Sequence, residues 1–447
     1  MSLLLCLAAF FVCLFAGRRS LVAGLTALIS VGYTYGIVRA NLPETYSHFI
    51  FDAGVLGFYS TQLVRASTAV QEYRIRRLKP WLEFVIAWPL LLFLVPNQDI
   101  LIRLVGLRGN IFLLPMMIIG ARLEGDEKYK LAVRLAILNL AAFAFASAEF
   151  ATSVERFFPR NEVTRLIYIS KDVLGHTAYR IPSTFAGSHA YAGTMVVCLP
   201  FLLGALQLRK KQDWHKPLLI AGLIASLLGV FMAATRLHFV AAAMVVAVAA
   251  FSIRSRFGHL LVGLMIIAGI AWVVSSEQRL QRFAELQEPG VVTERVAGSV
   301  NIGFFDLAAT YPFGNGLGGG GTSIPYFLTS RIENPVGIEN EYARIMLEQG
   351  LIGLGLWIAF MAWLLTRQGE GIADRWFLGR RLAWVTCAAC FATGLLGTGL
   401  FTSIPQTCLL FLNVGWLAAL PTKTAQETFL AARPPDDYLA RNLLDSR

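Results

Sequence analysis

The chain has 447 residues, of which 56% are hydrophobic and 15% are charged, and its formal net charge is +11. A soluble domain carries about a quarter charged residues, so this composition excludes an ordinary soluble protein of this size. The positive charge does not indicate nucleic acid as a partner, because the Lys and Arg residues fall mainly in short connectors between apolar runs.

Long apolar runs begin near the N-terminus and recur along the chain. The clearest are residues 3–17, 131–148, 218–235, 239–251 and 351–365. A helix of about 20 apolar residues crosses a bilayer core about 30 Å thick and satisfies its own backbone groups. The runs therefore predict an all-α fold, a polytopic transmembrane helix bundle of about twelve or thirteen spans. Segments 48–64 and 100–120 are less apolar and can be re-entrant or tilted.

Basic connectors separate the apolar runs. They are residues 18–19, 74–79, 122–130, 209–216, 254–256 and 367–381. Between successive connectors lie two apolar runs, or a run and a hairpin, so every connector can face the same side, which the positive charge predicts to be cytoplasmic. Residues 1–420 are predicted to form one integral membrane domain, followed by a cytoplasmic polar tail at 421–447. The first run is expected to be a retained span.

Two longer polar segments, 151–188 and 275–344, are predicted to be extracytoplasmic loops, and loops of that length are uncommon unless they carry function. The first loop places Arg180 and His189 just before a span. The planar guanidinium of an arginine there suits a pair of phosphate oxygens. The alternatives are that Arg180 is an interfacial anchor and that His189 is a packing residue.

The next charged candidate, Arg236, lies within an apolar stretch, 218–251, that is long enough for two spans. A charge in such surroundings is costly unless it is paired or lines a watery cavity, so it predicts a functional site. Alternatively, Arg236 and His238 mark a tight external hairpin.

The second loop holds further candidates, Arg295 and Arg331, and a glycine-rich run at 312–323 that includes Gly316 and Gly318. The run is not a P-loop, because no Gly-Lys-Ser/Thr sequence follows it. We interpret it either as backbone that approaches a sugar or pyrophosphate closely, or as a hinge.

The end of the second loop is acidic. Glu339, Asn340 and Glu341 precede a predicted helix on which Glu341, Arg344 and Glu348 share one face. A partly desolvated carboxylate there can act as a general base on a sugar hydroxyl; the alternative is a helix cap with a salt bridge. The loops lack clustered metal-ligand spacing, so no metal is expected, and arginine would stabilise a leaving pyrophosphate.

Four motifs follow one another in this order: Arg-x-x-Ser-Thr-Phe, Thr-Arg at a span start, Pro-x-Gly-x-Gly, and Asn-x-Tyr with Glu-x-Gly-x-x-Gly. Over roughly residues 101–420 the chain resembles the O-antigen ligase and polymerase superfamily. The resemblance rests on the order of the motifs and on the topology. It implies a bacterial inner-membrane enzyme that uses undecaprenyl-pyrophosphate-linked glycans at the periplasmic or external face, by metal-independent glycosyl transfer.

The resemblance also implies that Arg180, Arg236 and Arg295 match positions where family arginines bind the donor pyrophosphate, and together with the residue patterns described above it leads to the following predictions. The predicted catalytic residues are Glu339, Arg236 and Arg180. The predicted substrate-binding residues are Arg295, Asn340, Glu341, Arg331, His189, Gly316 and Gly318. Family ligases place a histidine where this chain has Glu339, which favours polymerisation of lipid-linked repeat units into exopolysaccharide or an O-antigen-like polymer; a ligase or a lipid-linked glycan flippase is the alternative. The expected partners are the lipid-linked oligosaccharide, membrane lipids, a chain-length regulator and a flippase, and no cofactor is expected.

Overall fold

The computed structural model describes residues 1–65, 67–159, 161, 164, 169–171, 177–208, 214–252, 304–321, 324–338, 340–368, 375–397 and 399–420. Within these ranges the chain is predominantly helical. Six helical segments are long and apolar enough to cross a membrane: Ser2–Arg19, Leu21–Asn41, Ile100–Arg122, Gly125–Thr152, Ser188–Gln207 and Glu341–Leu365. A turn at residues 112–115 divides Ile100–Arg122 into two helices that count here as one span. Together with three shorter apolar helices, they indicate a membrane protein. The total of twelve or thirteen spans stays a prediction.

The first half of the chain forms a run of helices joined by short connectors. They are α1 (Ser2–Arg19), α2 (Leu21–Asn41), α3 (Ile50–Gln62), α4 (Ala69–Ile75), α5 (Lys79–Phe93), α6 (Ile100–Ile111), α7 (Met116–Arg122) and α8 (Gly125–Thr152). A short 3-10 turn, Thr45–Phe49, lies between α2 and α3. A second one, Val154–Arg156, follows α8.

The second half continues the bundle. Its helices are α9 (Ser188–Gln207), α10 (Lys216–Met232), α11 (Arg236–Ser252), α12 (Phe304–Thr310), α13 (Glu341–Leu365), α14 (Phe377–Thr393) and α15 (Gln406–Ala418). A 3-10 turn, Tyr326–Arg331, precedes α13. The only described departure from an all-α fold is a short antiparallel ladder, β1 (Ile169–Lys171) with β2 (Thr177–Tyr179), in the first predicted external loop.

Many large apolar side chains on the outer faces of the helices are exposed. Phe15 is 57% exposed, Phe84 is 61% exposed and Leu94 is 75% exposed. Large apolar patches on this scale are not tolerated in water, whereas lipid tails solvate them without cost. The outer surface therefore fits a bilayer, while the core between the helices is closely packed.

Contacts between connectors define two ends of the bundle. At one end, which we call the basic end, Gln62 donates to Gly17 O, Arg122 donates to Gln62 O, and Arg74 donates to Leu123 O. The described basic connectors 18–19, 74–79 and 122–130 therefore meet there. Arg380 of the connector 367–381 belongs to the same end. It donates to the carbonyls of Leu417 and Ala419, and the next residue, Leu420, donates its backbone N–H to Arg74 O.

The opposite end, which we call the loop end, holds described connectors that alternate along the chain with the basic ones. Ser2 donates to the Glu44 carboxylate, and Asn41 donates to Phe157 O. Gln98 bonds the backbone at Asn315 and Glu333. Phe157 of the first predicted external loop, and Asn315 and Glu333 of the second, therefore lie at the loop end, across the bundle from the basic connectors.

Helix α13 is interrupted at Gly350, whose φ of 70° is outside the helical range. The interruption frees backbone groups that would otherwise bond within the helix. The preceding glycine-rich segment satisfies two of them: Asn315 N donates to Leu347 O at 2.6 Å, and Leu351 N donates to Pro312 O at 2.9 Å. Trp88 Nε1 donates to Gln349 O. Non-helical backbone is tolerated inside a membrane protein when other protein groups satisfy it in this way.

Candidate functional site

A cavity of about 540 Å³ lies at the loop end, between α2, α3, α6, the start of α9 and the segment before α15. Its wall carries several polar side chains, and those that matter chemically are Arg39, His48, Asp52, Arg108, His189 and Ser403. Pockets of a few hundred Å³ with a small number of convergent polar groups are the usual form of a ligand site. We therefore take this loop-end cavity as the candidate functional site.

Arg108 and Asp52 form a bidentate ion pair across the cavity wall. Arg108 Nε donates to Asp52 Oδ2 and Arg108 Nη2 donates to Asp52 Oδ1, both at 2.7 Å. The pair joins α6 to α3, and its side chains are 29% and 12% exposed. Two facing charges in otherwise apolar helices are tolerated because each is the partner of the other. The pair is formally neutral, so it orients the wall without giving the cavity a net charge.

Arg39 supplies the unbalanced positive charge of the wall. It lies in the last turn of α2, where the helix dipole favours a cation, and its guanidinium packs 5.3 Å from the centre of the Tyr35 ring. Its Nε is buried and has no hydrogen-bond partner among the described residues. A buried donor of this kind favours a ligand that brings an oxygen atom.

His48 lines the same wall from the turn between α2 and α3. Tyr35 Oη donates to His48 O at 3.1 Å, which fixes the turn, and the ring meets Phe327 edge-on at 5.5 Å. Burial, together with the positive charges of Arg39 and Arg108, lowers the pKa of His48 to about 4. The imidazole is therefore neutral at physiological pH and can accept a proton.

His189 lies in the first turn of α9 and connects the cavity to Arg180. The Arg180 Nη1 atom and the His189 Nε2 atom are 2.7 Å apart. Because the guanidinium is always a donor, His189 Nε2 is the acceptor, and the neutral imidazole carries its proton on Nδ1. His189 therefore holds the Arg180 guanidinium beside the cavity. The His238 ring of α11 lies 6.0 Å from the His189 ring.

The segment that carries Arg180 enters the bundle before α9 begins. Ser183 N donates to the Glu149 carboxylate at 2.8 Å, and Ser183 Oγ donates to Ala142 O, both on α8. Phe185 is fully buried. A Cβ on Gly36 would collide with the Phe185 backbone, so only glycine allows this close approach to α2. Gly36 lies one helical turn before Arg39 on α2, and the residues that follow Phe185 and line the cavity are Ala186, Gly187 and His189.

The segment before α15 closes another side of the cavity, and Glu341 holds it in place. Glu341 Oε2 accepts from Gly399 N at 2.8 Å and from Leu400 N at 3.2 Å, while Glu341 Oε1 accepts from Arg344 Nε at 2.8 Å. Both carboxylate oxygens are thus occupied, and the side chain is buried. These contacts give Glu341 a structural role; its predicted contact with substrate stays a prediction.

The predicted shared face of Glu341, Arg344 and Glu348 is confirmed. Arg344 bridges the two carboxylates at 2.8 Å each, with all three side chains at most 1% exposed. Asn110 of α6 completes the network: its Nδ2 donates to Glu348 Oε2 and its Oδ1 accepts from Arg344 Nη1 and Gln349 Nε2. The network, which we call the α13 ion cluster, fixes α13 against α6.

The other predicted site residues lie at the loop end in separate places. Asn340 is the N-cap of α13 and accepts from Ala343 N at 2.6 Å. Arg331 is 3.7 Å from Asp99, with about half of its side chain exposed. Arg236 is the first residue of α11, two residues before His238. The predictions for Glu339 and Arg295 fall outside the described residues.

Gly316 and Gly318 are buried against the segment that begins α6. Both have positive φ values, 91° and 81°, and a Cβ on Gly318 would lie 2.6 Å from Ile102 O. Their conformation therefore follows from close packing on α6. A direct approach to a sugar or pyrophosphate stays a prediction for these two glycines.

Sequence reasoning did not single out Arg39, His48, Asp52 or Arg108 as site residues. A signal for two of them is present: Asp52 and Arg108 fall in 48–64 and 100–120, the two segments too polar for a simple span. Opposite charges, one in each of two segments of a membrane bundle, predict an ion pair that faces the bundle interior. His48 and Arg39 give no comparable signal, because they lie at helix ends where polar residues are common.

Comparison of the chain with protein-family models and with curated proteins finds no match.

Proposed function

We propose that the protein polymerises lipid-linked oligosaccharides by glycosyl transfer at the outer face of the membrane, with the loop-end cavity as the site that receives the pyrophosphate of the donor. The observation that carries the proposal is that Arg39 and His189 line one cavity and that His189 contacts the guanidinium of Arg180. The resemblance of the motif order to O-antigen ligases and polymerases supplies the substrate class.

The orientation follows from the distribution of charge. Connectors rich in Lys and Arg favour the cytoplasmic side of a membrane. Since Arg74, Arg122 and Arg380 meet at the basic end, this end is assigned to the cytoplasm. The loop-end cavity then opens on the periplasmic or external side of a bacterial inner membrane, where completed lipid-linked repeat units are displayed.

The cavity charge suits a pyrophosphate. Arg108 is balanced by Asp52, so Arg39 leaves the site positive, and the Arg180 guanidinium contacts the wall residue His189. A guanidinium offers parallel N–H donors that match phosphate oxygens. In the proposed reaction a sugar hydroxyl of one repeat unit attacks the anomeric carbon of another, and the lipid pyrophosphate leaves with the bonding electron pair. Arginines placed where that negative charge develops would stabilise the transition state.

The attacking hydroxyl must lose a proton, and there are two candidate acceptors, one in the cavity wall and one predicted from the sequence alone. The neutral imidazole of His48 lies in the cavity wall beside Arg39. Glu339, the carboxylate predicted from the sequence, directly precedes Asn340 at the start of α13. A general base needs to reach the hydroxyl within hydrogen-bonding distance, and separate His48→Gln and Glu339→Gln variants distinguish the two candidates.

The proposal is tested in cells that depend on this protein for long polysaccharide. Arg39→Ala, Arg180→Ala and Arg236→Ala, made singly, should each abolish long polymer while the protein remains in the membrane. Arg103→Ala is the control, because Arg103 lies at the same end but donates to Phe93 O. Polymer length is read by gel electrophoresis of the extracted glycan.

The lipid intermediates decide between the related functions. Repeat-unit lipid that accumulates on the outer leaflet supports a polymerase. Accumulation on the inner leaflet points to a flippase instead, and full-length polymer that stays attached to its lipid points to a ligase. Normal polymer in all three variants would reduce the protein to a membrane scaffold and refute the proposal.

A further inference from the structure

A second cavity, of about 1180 Å³, lies at the basic end between α4, α5 and α7. The proposed glycosyl transfer does not use it. Its lining changes along its length: the part near the connectors carries Arg76, Lys79 and Arg122, and the deeper part carries Leu82, Ile86 and Leu90. A charged mouth that continues into an apolar groove matches an amphiphile.

The apolar part has the length of one lipid leaflet. From Lys79 to Leu90 the rise of α5 is about 16 Å at about 1.5 Å per residue, and one leaflet of a bilayer contributes about 15 Å of hydrocarbon. Leu90 is 45% exposed and the neighbouring Leu91 is 58% exposed. The groove is thus open sideways, toward lipid, over the depth that an acyl chain occupies.

At the charged mouth of the groove, hydrogen bonds within the protein hold the Arg122 side chain in place. Arg122 Nη1 donates to Gln62 O at 2.9 Å and Nη2 donates to Ser67 Oγ at 2.5 Å. Its Nε is buried and has no hydrogen-bond partner among the described residues. An oxygen atom of a bound headgroup would satisfy this donor.

The balance of charge at the mouth favours an anion. Arg76, Lys79 and Arg122 face two carboxylates, Glu72 and Glu83, which leaves a positive excess. Lys79 and Glu83 are exposed and 3.9 Å apart, a geometry that contributes little to binding or stability. Basic groups at the membrane surface attract anionic lipid headgroups.

We propose that this groove binds one anionic phospholipid from the leaflet at the basic end. The phosphate lies between Arg76, Lys79 and Arg122, and one acyl chain follows Leu82, Ile86 and Leu90 along α5. The bound lipid fills a gap between α5 and α7 and so takes part in packing that the protein chain alone leaves open.

The test uses the purified full-length protein in nanodiscs of phosphatidylcholine with or without phosphatidylglycerol, and native mass spectrometry counts the lipids that remain bound. The wild type should retain phosphatidylglycerol in preference to phosphatidylcholine. The double variant Arg76→Ala/Lys79→Ala should bind phosphatidylglycerol about thirtyfold more weakly, or about 2 kcal/mol. Lys130→Ala, an exposed cation of α8 outside the groove, is the matched control and should bind within about twofold of the wild type.

A second variant tests the apolar part without changing charge. Ala87→Trp fills the groove and should remove bound lipid of either class, whereas Leu91→Trp, on the lipid-facing side of the same helix, should not. Equal retention of both lipids, unchanged by Arg76→Ala/Lys79→Ala, would overturn the proposal and leave only non-specific annular lipid. If Ala87→Trp fails to fold, the comparison of Arg76→Ala/Lys79→Ala with Lys130→Ala still tests whether the groove binds an anionic lipid.

Discussion

Replacing Arg344 by methionine tests the α13 ion cluster. Arg344 lies between Glu341 and Glu348, with N–O distances of 2.8 Å to each, and the three side chains are at most 1% exposed. Methionine keeps an unbranched apolar stem but removes the guanidinium, and so leaves two carboxylates buried without a cation. Breaking a buried ion pair by removing one partner costs about 3–5 kcal/mol.

The size of the chain sets the expected shift in melting temperature. Unfolding entropy is about 2.1 cal/mol/K per residue, which for 447 residues gives about 0.9 kcal/mol/K. A loss of about 3–5 kcal/mol should therefore lower Tm by about 3–5 °C. Thermal unfolding of the detergent-purified protein, followed by intrinsic tryptophan fluorescence, measures this shift.

Two further variants show whether the loss arises from the buried charges. Arg344→Met combined with Glu348→Gln removes one of the orphaned charges and should recover part of the lost Tm. Lys130→Ala removes an exposed cation of α8 outside the proposed lipid groove and should change Tm by less than about 1 °C. A Tm for Arg344→Met within about 1 °C of the wild type would refute the stabilising role of the cluster.

Two other predictions concern stability. Folding lowers the pKa of His48 from 6.5 to about 4, so the unfolded chain binds the proton more strongly and stability is lost as pH falls from about 6.5 towards 4. The Tm of His48→Gln should therefore fall less than the Tm of the wild type over that range. Parallel plots of Tm against pH for the two proteins would contradict this prediction. Gly318→Ala should lower Tm by about 1–2 °C or more, because φ of Gly318 is 81° and the added Cβ would lie 2.6 Å from Ile102 O. Gly337→Ala is the control and should leave Tm unchanged, because its Cβ would meet nothing within 4 Å. Equal Tm values for the two variants would show that close packing of the glycine-rich segment does not contribute to stability.

Local sequence patterns were sufficient to predict a predominantly helical membrane protein and the shared helix face of the α13 ion cluster. Apolar runs longer than a soluble helix require a membrane or a deep core, and the spacing of Glu341, Arg344 and Glu348 places the three on one helix face irrespective of the rest of the fold. The short β1–β2 ladder was not predicted, since its pairing depends on how the loop between α8 and α9 returns on itself.

The cavity could not be predicted because its wall is assembled from distant segments. Arg39, Asp52, Arg108 and Ser403 come from four parts of the chain, and only helix packing brings them together. The interruption of α13 at Gly350 could not be predicted either, because glycine is common in uninterrupted membrane helices. The contacts of α13 with Pro312 and Asn315, which explain the interruption, depend on the folded structure.

Binding of undecaprenyl pyrophosphate to the purified protein tests the role of the loop-end cavity most directly. Retention is compared with that of undecaprenol, which lacks the pyrophosphate, for the wild type, Arg39→Ala and the control Arg103→Ala. A hydrogen bond to a charged group contributes about 1.5–3 kcal/mol, so Arg39→Ala should bind undecaprenyl pyrophosphate roughly ten- to a hundredfold more weakly, with undecaprenol and Arg103→Ala unaffected. Equal binding of the two lipids, or equal affinity in the wild type and Arg39→Ala, would contradict a pyrophosphate site in this cavity.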